Sequence, residues 1–271
     1  MHGLNQEQVD EFDDRGFIVV NDVFDHDEIE RFRVTVEAPE IRTPQNAKGY
    51  DEKLVHMVEL AARHSVFLAL AKSDKIVAKV RQLIGDDIQL QHSKIATQPP
   101  SKGRGGIRLH QDFAFFPHTN TDLVAVMVML DDATPENGCM KMVPASHKLG
   151  CLDHMGMTGF FDGGCVENQH WTEPGQLVDI TPRAGGISIH HCLTLHGAFE
   201  NISGRQRRGL VFQYRADDAM QLADMVFADT GILVAGKRRS KVRCSEGVWQ
   251  LPLRKFKDCP YGTSWNQLGE K

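Results

Sequence analysis

The sequence lacks long hydrophobic runs, closely spaced cysteine pairs and a strong excess of charge of either sign. No apolar run approaches the ~20 residues that a membrane-spanning helix needs, and the N-terminus has no secretory leader pattern. The 6 cysteines show no C-x-x-C spacing, so we expect reduced thiols rather than a disulfide framework or a zinc site. These absences predict a cytoplasmic protein without a membrane partner.

Charge and length limit the kind of partner and the number of domains that we expect. The formal net charge is −5 over 271 residues, which argues against a nucleic-acid partner. A hydrophobic fraction of 41% is enough for a sizeable core, and all-β units often reach this length as one domain. We therefore predict a single domain over 1–271 that acts on a small molecule, as a monomer or a homodimer. Its predicted parts are a helical part at about 1–85, a core at about 87–216 and a C-terminal extension at 217–271.

Polar capping residues and apolar stripes with helical spacing indicate helices in the first third of the chain. Side chains that can cap a helix precede each stripe, and glycines follow the last apolar positions. The predicted elements are a helix from Asn5 to Gly16, a strand over 17–20, a helix from Asp25 to about Val36, and helical residues 54–84 with Ser73 as the cap of the last piece.

After residue 87, short apolar or alternating runs separated by turn residues replace the helical pattern. This pattern of short runs predicts a mainly β fold with flanking helices: a double-stranded β-helix (jelly-roll, cupin-like) core with an N-terminal helical buttress. Residues 150–176 are irregular and predict a lid or insertion. The predicted strands are 87–98, 107–116, 123–130, 139–143, 177–180, 186–192 and 209–215, and 219–227 is predicted helical.

The motif His110-Gln111-Asp112 predicts a metal site. Residues two apart on a strand point to the same side, so this imidazole and this carboxylate could hold one face of a metal ion. Two histidines and one carboxylate are typical of non-haem Fe(II) oxygenases. The third ligand must come from elsewhere; His196 is the favoured candidate, and His190 and His191 compete with it.

Several further motifs carry a resemblance to a known family. His196-Gly197 is followed by Asn201-Ile202-Ser203 and by Arg207-Arg208. Together with the H-x-D motif, the turn at 131–139, the loop at 143–148 and Gln98-Pro99-Pro100, this order resembles the phytanoyl-CoA hydroxylase (PhyH)-like family of Fe(II)/2-oxoglutarate-dependent dioxygenases, over roughly residues 5–218.

The resemblance implies a hydroxylase that uses Fe(II), 2-oxoglutarate and O₂ and releases succinate and CO₂. It implies that His110, Asp112 and His196 are the iron ligands, and it matches His191 to a histidine that is not a ligand. Arg207 follows His196 by eleven residues, the family's spacing for the arginine that grips 2-oxoglutarate. A guanidinium fits a carboxylate with two parallel hydrogen bonds, whereas Arg208 should point the opposite way.

Other positions depart from the family pattern. Gln98 stands where the family commonly has lysine, Met127 where it has tryptophan, and Ala198 where it has serine. His92, Lys94 and Gln98 share one strand face, and these three residues and Met127 are our candidates for the remaining contacts with 2-oxoglutarate. Asp112 favours hydroxylation, since related halogenases have a small residue in its place.

The substrate is less constrained. Arg108 precedes His110 by two residues, so its guanidinium should point to the cavity unless it pairs with an acid or reaches solvent. Arg108, His118 and Phe113 are the candidate substrate contacts. A small anion (a carboxylate, an amino acid or a phosphonate) would suit the arginine, and a natural-product intermediate would suit the apolar wall at 113–116.

Three other functions stay open at this point. The same metal centre could carry out desaturation, epoxidation or ring chemistry. A jelly-roll protein could also bind a metal without turnover. A metal-dependent hydrolase ranks below these because no second carboxylate accompanies the H-x-D motif as a general base.

Overall fold

The computed structural model describes residues 2–42, 57–100, 106–156, 159–165, 171–173, 175–223, 227–247, 249 and 251. Its helices are α1 Gln6–Arg15, α2 His26–Val36, α3 Leu60–Arg63, α4 Ser65–Ala71 and α5 Asp74–Ile84. None of the helices within these residues is both long and apolar enough to cross a membrane.

Local capping chemistry defines the ends of the helices. Asn5 and Asp25 each form a capping box, in which the side chain accepts a hydrogen bond from the backbone three residues later. Gly16 ends α1 with φ at 83°. A side chain at Gly16 would also collide with His147, whose Nδ1 lies 2.4 Å from the ideal Cβ position. The predicted boundaries of these two helices are confirmed.

Two antiparallel sheets form the core of the fold. The strands are β1 Phe17–Val20, β2 Met57–Val58, β3 Ile88–Gln98, β4 Ile107–His110, β5 Leu123–Met129, β6 Met140–Met142, β7 Val178–Ile180, β8 Ile187–His191, β9 His196–Ala198, β10 Arg207–Ala216 and β11 Ile232–Ala235. Within the described residues the major sheet has the order β1-β8-β5-β10-β3-β11, with β2 beside β3, and the minor sheet has the order β4-β9-β6-β7. The mainly β, jelly-roll fold is therefore confirmed.

The two faces of the major sheet have different neighbours. On β10, Leu210, Phe212 and Tyr214 are buried in one apolar cluster with side chains of α2 and α5. The alternate residues, Val211 and Gln213 among them, face a cavity between the sheets. Burying a Leu or Phe side chain contributes about 1.5–3 kcal/mol, so the helices stabilise the sheet that carries the cavity.

Three predicted elements are wrong in the described residues. The strand predicted over 107–116 ends at His110, and a 3₁₀ turn follows over Asp112–Ala114. Met57 and Val58 form a strand rather than a helix because their backbone pairs with β3. Residues 54–56 of that prediction lie outside the described residues.

The helix predicted over 219–227 is also wrong where the structure describes it. Residues 219–223 are not helical because their backbone pairs with another segment: Thr119 N–H donates to Met220 O, and Met220 N–H donates to Thr119 Oγ1. Residues 224–226 lie outside the described residues. Strands β9 and β11 were not predicted, since each is short and defined by its partner.

Candidate active site

His110 and His196 lie side by side at one end of the minor sheet. They are Cα partners on β4 and β9, and their ring centroids are 4.3 Å apart. Asp112 Oδ1 lies 3.8 Å from His110 Nε2 and 3.7 Å from His196 Nε2. All three side chains are buried, and their ligand atoms lie within 4.8 Å of one another. This geometry can hold one metal ion.

Backbone hydrogen bonds orient both imidazoles. His110 Nδ1 lies 2.8 Å from Arg108 O, and His196 Nδ1 lies 2.8 Å from Thr194 O. A carbonyl partner requires a proton on Nδ1, which leaves Nε2 with a free lone pair directed at Asp112. Burial lowers the pKa of both histidines, so they are neutral. Neutral imidazoles beside a carboxylate fit Fe(II), because these are the ligands of the non-haem iron site.

Asp112 is held in its ionised form by its surroundings. Burial opposes ionisation, but the electrostatic interactions with the imidazoles of His196, His190 and His110 and the hydrogen bond with His190 outweigh it and hold the pKa of Asp112 well below its usual value. Gln213 Nε2 donates to Oδ2 at 2.5 Å, and His190 Nε2 lies 3.2 Å from the same oxygen. Oδ1 is thereby left to face His110 and His196.

The two competing histidines occupy other positions. His190 contacts the far oxygen of Asp112 and is not one of the three residues grouped around Oδ1. His191 Nδ1 accepts the Leu193 N–H, and its ring lies beside Phe12 and His147. The geometry therefore favours His196, among the described residues, as the third member of the group.

A cavity that opens to solvent extends from the triad to Arg207. Arg207 is 3% exposed. Its Nε has no hydrogen-bond partner, and no carboxylate of the described residues pairs with it. Burial lowers its pKa to about 10, so it is charged at neutral pH. A buried guanidinium without an anion fits a carboxylate ligand in the cavity.

Arg208 points away from the cavity, as strand alternation predicts. Its Nε and Nη2 each donate to the Asp131 carboxylate at 2.9 Å, and Nη1 donates to Glu37. It ties β10 to α2 and the turn after β5. The two consecutive arginines therefore differ: within the part of the chain that the structure describes, Arg207 pairs with no carboxylate, whereas Arg208 pairs with two.

The other predicted contacts with 2-oxoglutarate divide into two groups. Lys94, Gln98 and Met127 line the cavity. Met127 lies across Gly209, where a Cβ would come within 2.7 Å of it. His92 does not line the cavity; its Nδ1 contacts Gln91, and its ring stacks on Phe227 with centroids 3.7 Å apart. The cavity contacts that the sequence did not indicate include His190 and Gln213.

The three predicted substrate contacts do not line the cavity. Arg108 Nη1 donates to the Asp162 carboxylate at 2.7 Å, which is the alternative, pairing with an acid, that the sequence left open for this guanidinium. The β4–β9 register shifts between Ile107 and His110, which breaks the two-residue alternation. The remaining two candidates, His118 and Phe113, are both fully buried. His118 Nδ1 lies within hydrogen-bond distance of the Phe116 carbonyl, and the Phe113 ring packs against Trp249.

The described part of the predicted lid is attached at the triad. Gln111, between two of the grouped residues, donates to Gly150 O and accepts from Leu152 N–H. Its own N–H donates to His154 Nε2. The residue type of Gln111 gives no sign of this role, since its partners are some 40 residues away in sequence.

Comparisons with known proteins agree with this geometry. The sequence profile of the family "Phytanoyl-CoA dioxygenase (PhyH)" matches residues 12–209. A probable alpha-ketoglutarate-dependent hypophosphite dioxygenase of Stutzerimonas stutzeri is 34% identical over 80% of each chain. An ectoine dioxygenase of Halomonas elongata is 26% identical over 79% of this chain and 71% of that protein.

The fold also matches solved structures. The non-haem alpha-ketoglutarate-dependent carbocyclase SnoK from nogalamycin biosynthesis superposes with a TM-score of 0.68 at 23% identity, over 80% of this chain and 86% of that chain. At this identity the likeness supports the fold, and the assignment of a substrate must come from the cavity.

Proposed function

Since the chain belongs to the phytanoyl-CoA dioxygenase (PhyH) family, we propose that His110, Asp112 and His196 bind its Fe(II), that Arg207 anchors its 2-oxoglutarate, and that its substrate is a small anion. The chain is a 2-oxoglutarate-dependent non-haem iron dioxygenase of the type that includes hydroxylases. The observation that supports this proposal is that one cavity is lined both by His110, Asp112 and His196, whose possible ligand atoms lie close together, and by a buried arginine that pairs with no carboxylate of the described residues.

The residues of the chain divide the work between the two ends of the cavity. Iron bound at the triad, with 2-oxoglutarate and O₂, supplies the oxidising chemistry, and succinate and CO₂ are released. The Nδ1 hydrogen bonds of His110 and His196 orient both rings, so that their Nε2 atoms would be available to bind the iron. Arg207 would grip the remote carboxylate of 2-oxoglutarate and orient its other end toward the triad.

A second cation supports an anionic substrate. Lys94 lines the same cavity as Arg207, and Asp112 is the one carboxylate among the described lining residues. Two cationic side chains and one carboxylate thus lie among the described lining residues. This local excess of positive side chains favours anionic guests over neutral ones.

The pKa of Lys94 also favours an anionic guest. Burial lowers the pKa of Lys94, and the Asp112 carboxylate opposes that shift. An anionic substrate would add to the effect of Asp112 and favour the charged amine. The similarity to a probable hypophosphite dioxygenase is consistent with a small anionic substrate.

A succinate-release assay tests this proposal. The Fe(II)-loaded protein is given 2-oxoglutarate and O₂ with matched pairs of compounds: hypophosphite, small phosphonates, carboxylates and amino acids against neutral analogues of similar size. We expect succinate release to rise with at least one anion and not with its neutral partner. Stimulation by neutral compounds alone would reject the anionic substrate, and no turnover with any compound despite tight iron would favour a metal-binding protein without catalysis.

Several finer expectations stay predictions. The single-domain organisation, the cytoplasmic location, the absence of a nucleic-acid partner and the monomeric or dimeric state await direct measurement. Hydroxylation is the favoured outcome because Asp112 occupies the carboxylate position of the triad. Analysis of the product would separate it from desaturation, epoxidation or ring chemistry.

A further inference from the structure

The two oxygens of the Asp112 carboxylate have different surroundings. Oδ1 lies 3.8 Å from His110 Nε2 and 3.7 Å from His196 Nε2. Oδ2 accepts a hydrogen bond from Gln213 Nε2 at 2.5 Å and lies 3.2 Å from His190 Nε2. One oxygen therefore faces the two histidines of the proposed iron site, while the other contacts two polar side chains.

Sheet register places these two partners on either side of a small residue. His190 on β8 is the Cα partner of Ala125 on β5, and Ala125 is the Cα partner of Gln213 on β10. Cα partners on antiparallel strands project to the same face, so the three side chains form one row across the major sheet. The methyl side chain of Ala125 is much shorter than its two neighbours. It therefore leaves space between His190 and Gln213, and Asp112 Oδ2 contacts both of them there.

Among the described residues, the side chains of His190 and Gln213 share one hydrogen-bond partner. His190 and Gln213 are 3% and 1% exposed, and Asp112 Oδ2 is the hydrogen-bond partner of each. His190 Nδ1 and Gln213 Oε1 have none. Burying polar groups costs free energy that their hydrogen bonds must offset. The Nε2 atoms of both side chains meet that requirement through Asp112.

We propose that His190 and Gln213 are positioning residues that keep Asp112 Oδ2 away from the metal, so that Asp112 binds through Oδ1 alone. This inference rests on the proposed iron site. Three ligand atoms leave three octahedral positions for the two chelating atoms of 2-oxoglutarate and for O₂. A carboxylate that bound through both oxygens would fill one of these positions.

The variants separate positioning from structure. His190→Phe and Gln213→Met keep the approximate shape of each side chain and remove its donor. His190→Gln restores an N–H donor at a similar reach and serves as the rescue. Ser188→Ala is the matched control, because Ser188 is a buried polar residue two positions earlier on β8, and its Oγ has no hydrogen-bond partner.

The measurement uses anaerobic Co(II), which stands in for Fe(II) and whose visible absorption reports its coordination. Each protein is titrated with Co(II), and each Co(II) protein is then titrated with 2-oxoglutarate. Thermal unfolding of the metal-free protein reports the fold. Loss of a partner that orients a metal ligand typically weakens metal binding by about 10–100-fold.

We expect His190→Phe and Gln213→Met to weaken Co(II) binding in that range, to change its visible absorption and to weaken 2-oxoglutarate binding. His190→Gln should recover most of the wild-type spectrum, and Ser188→Ala should match the wild type. Folded variants with the wild-type Kd and spectrum would overturn the inference alone. A wild-type protein that takes up no Co(II) would overturn the proposed iron site and this inference with it. If His190→Phe does not fold, Gln213→Met decides between these outcomes.

Discussion

His110 and His196 are direct partners across the antiparallel strands β4 and β9. The pairing brings their rings to a centroid distance of 4.3 Å, so two residues 86 positions apart in sequence are placed where they could chelate one ion. Neither His190 nor His191 has this relationship to His110. The backbone register of the minor sheet is therefore our reason for choosing His196 as the third ligand of the proposed metal site.

Replacing His196 should therefore remove metal binding. His196→Ala deletes one of three ligands and leaves His110 and Asp112 with too few donors for tight binding. The control is His191→Ala, since the described contacts of His191 lie away from Asp112. Anaerobic titration with Fe(II) should give no measurable uptake for the first variant and the wild-type Kd for the second. The reverse result would move the third ligand to His191.

Arg207→Met should weaken 2-oxoglutarate binding. Removing one partner of a buried charge pair costs about 2–5 kcal/mol, and each 1.4 kcal/mol is a factor of ten. The KM for 2-oxoglutarate should rise roughly 30-fold or more, with the metal Kd unchanged. Arg208→Met is the control, because it removes the contacts with Asp131 and Glu37 outside the cavity. An unchanged KM in Arg207→Met would place the anchor elsewhere.

Much of the fold could be predicted because its signals are local. The capping boxes at Asn5 and Asp25 act within three residues, and the cap at Ser73 acts on the second residue after it. Such signals are readable in any short window of sequence. The short strand β2 had no such signal. It exists because the edge of β3 offers hydrogen bonds to its backbone.

In the candidate site, too, some features follow from local sequence and others depend on distant parts of the chain. The residue types and spacing of the H-x-D motif indicated two ligands, although the reason given, strand alternation, was wrong at Asp112. The 3₁₀ turn there is stabilised by Phe113 N–H, which donates to Cys192 O. The roles of His190 and Gln213 depend on their reaching Asp112 Oδ2 from strands far along the chain. The pairing of strands that lie far apart in the chain leaves no recognisable pattern in a single sequence.

Tyr214→Phe should lower stability without affecting the metal site. Tyr214 is fully buried on the helical side of β10, and its hydroxyl donates to Ala71 O at 2.9 Å. Losing one buried hydrogen bond should lower the free energy of unfolding by about 1 kcal/mol, as measured by urea denaturation. The metal Kd should stay at the wild-type value, because the side chain points away from the cavity. A changed metal Kd with unchanged stability would contradict the separation of the two sheet faces.

Lys94→Met should distinguish the two anions that could meet this lysine. If Lys94 contacts the substrate, removing its charge should raise the KM for the anionic substrate roughly tenfold or more, since a hydrogen bond to a charged group contributes about 1.5–3 kcal/mol. The KM for 2-oxoglutarate should then stay near the wild-type value, unlike that of Arg207→Met. Lys141→Met is the matched control, because Lys141 pairs with Asp179 and does not line the cavity. If the KM for 2-oxoglutarate rises instead, Lys94 serves the co-substrate, and the charge argument for an anionic substrate loses its cation.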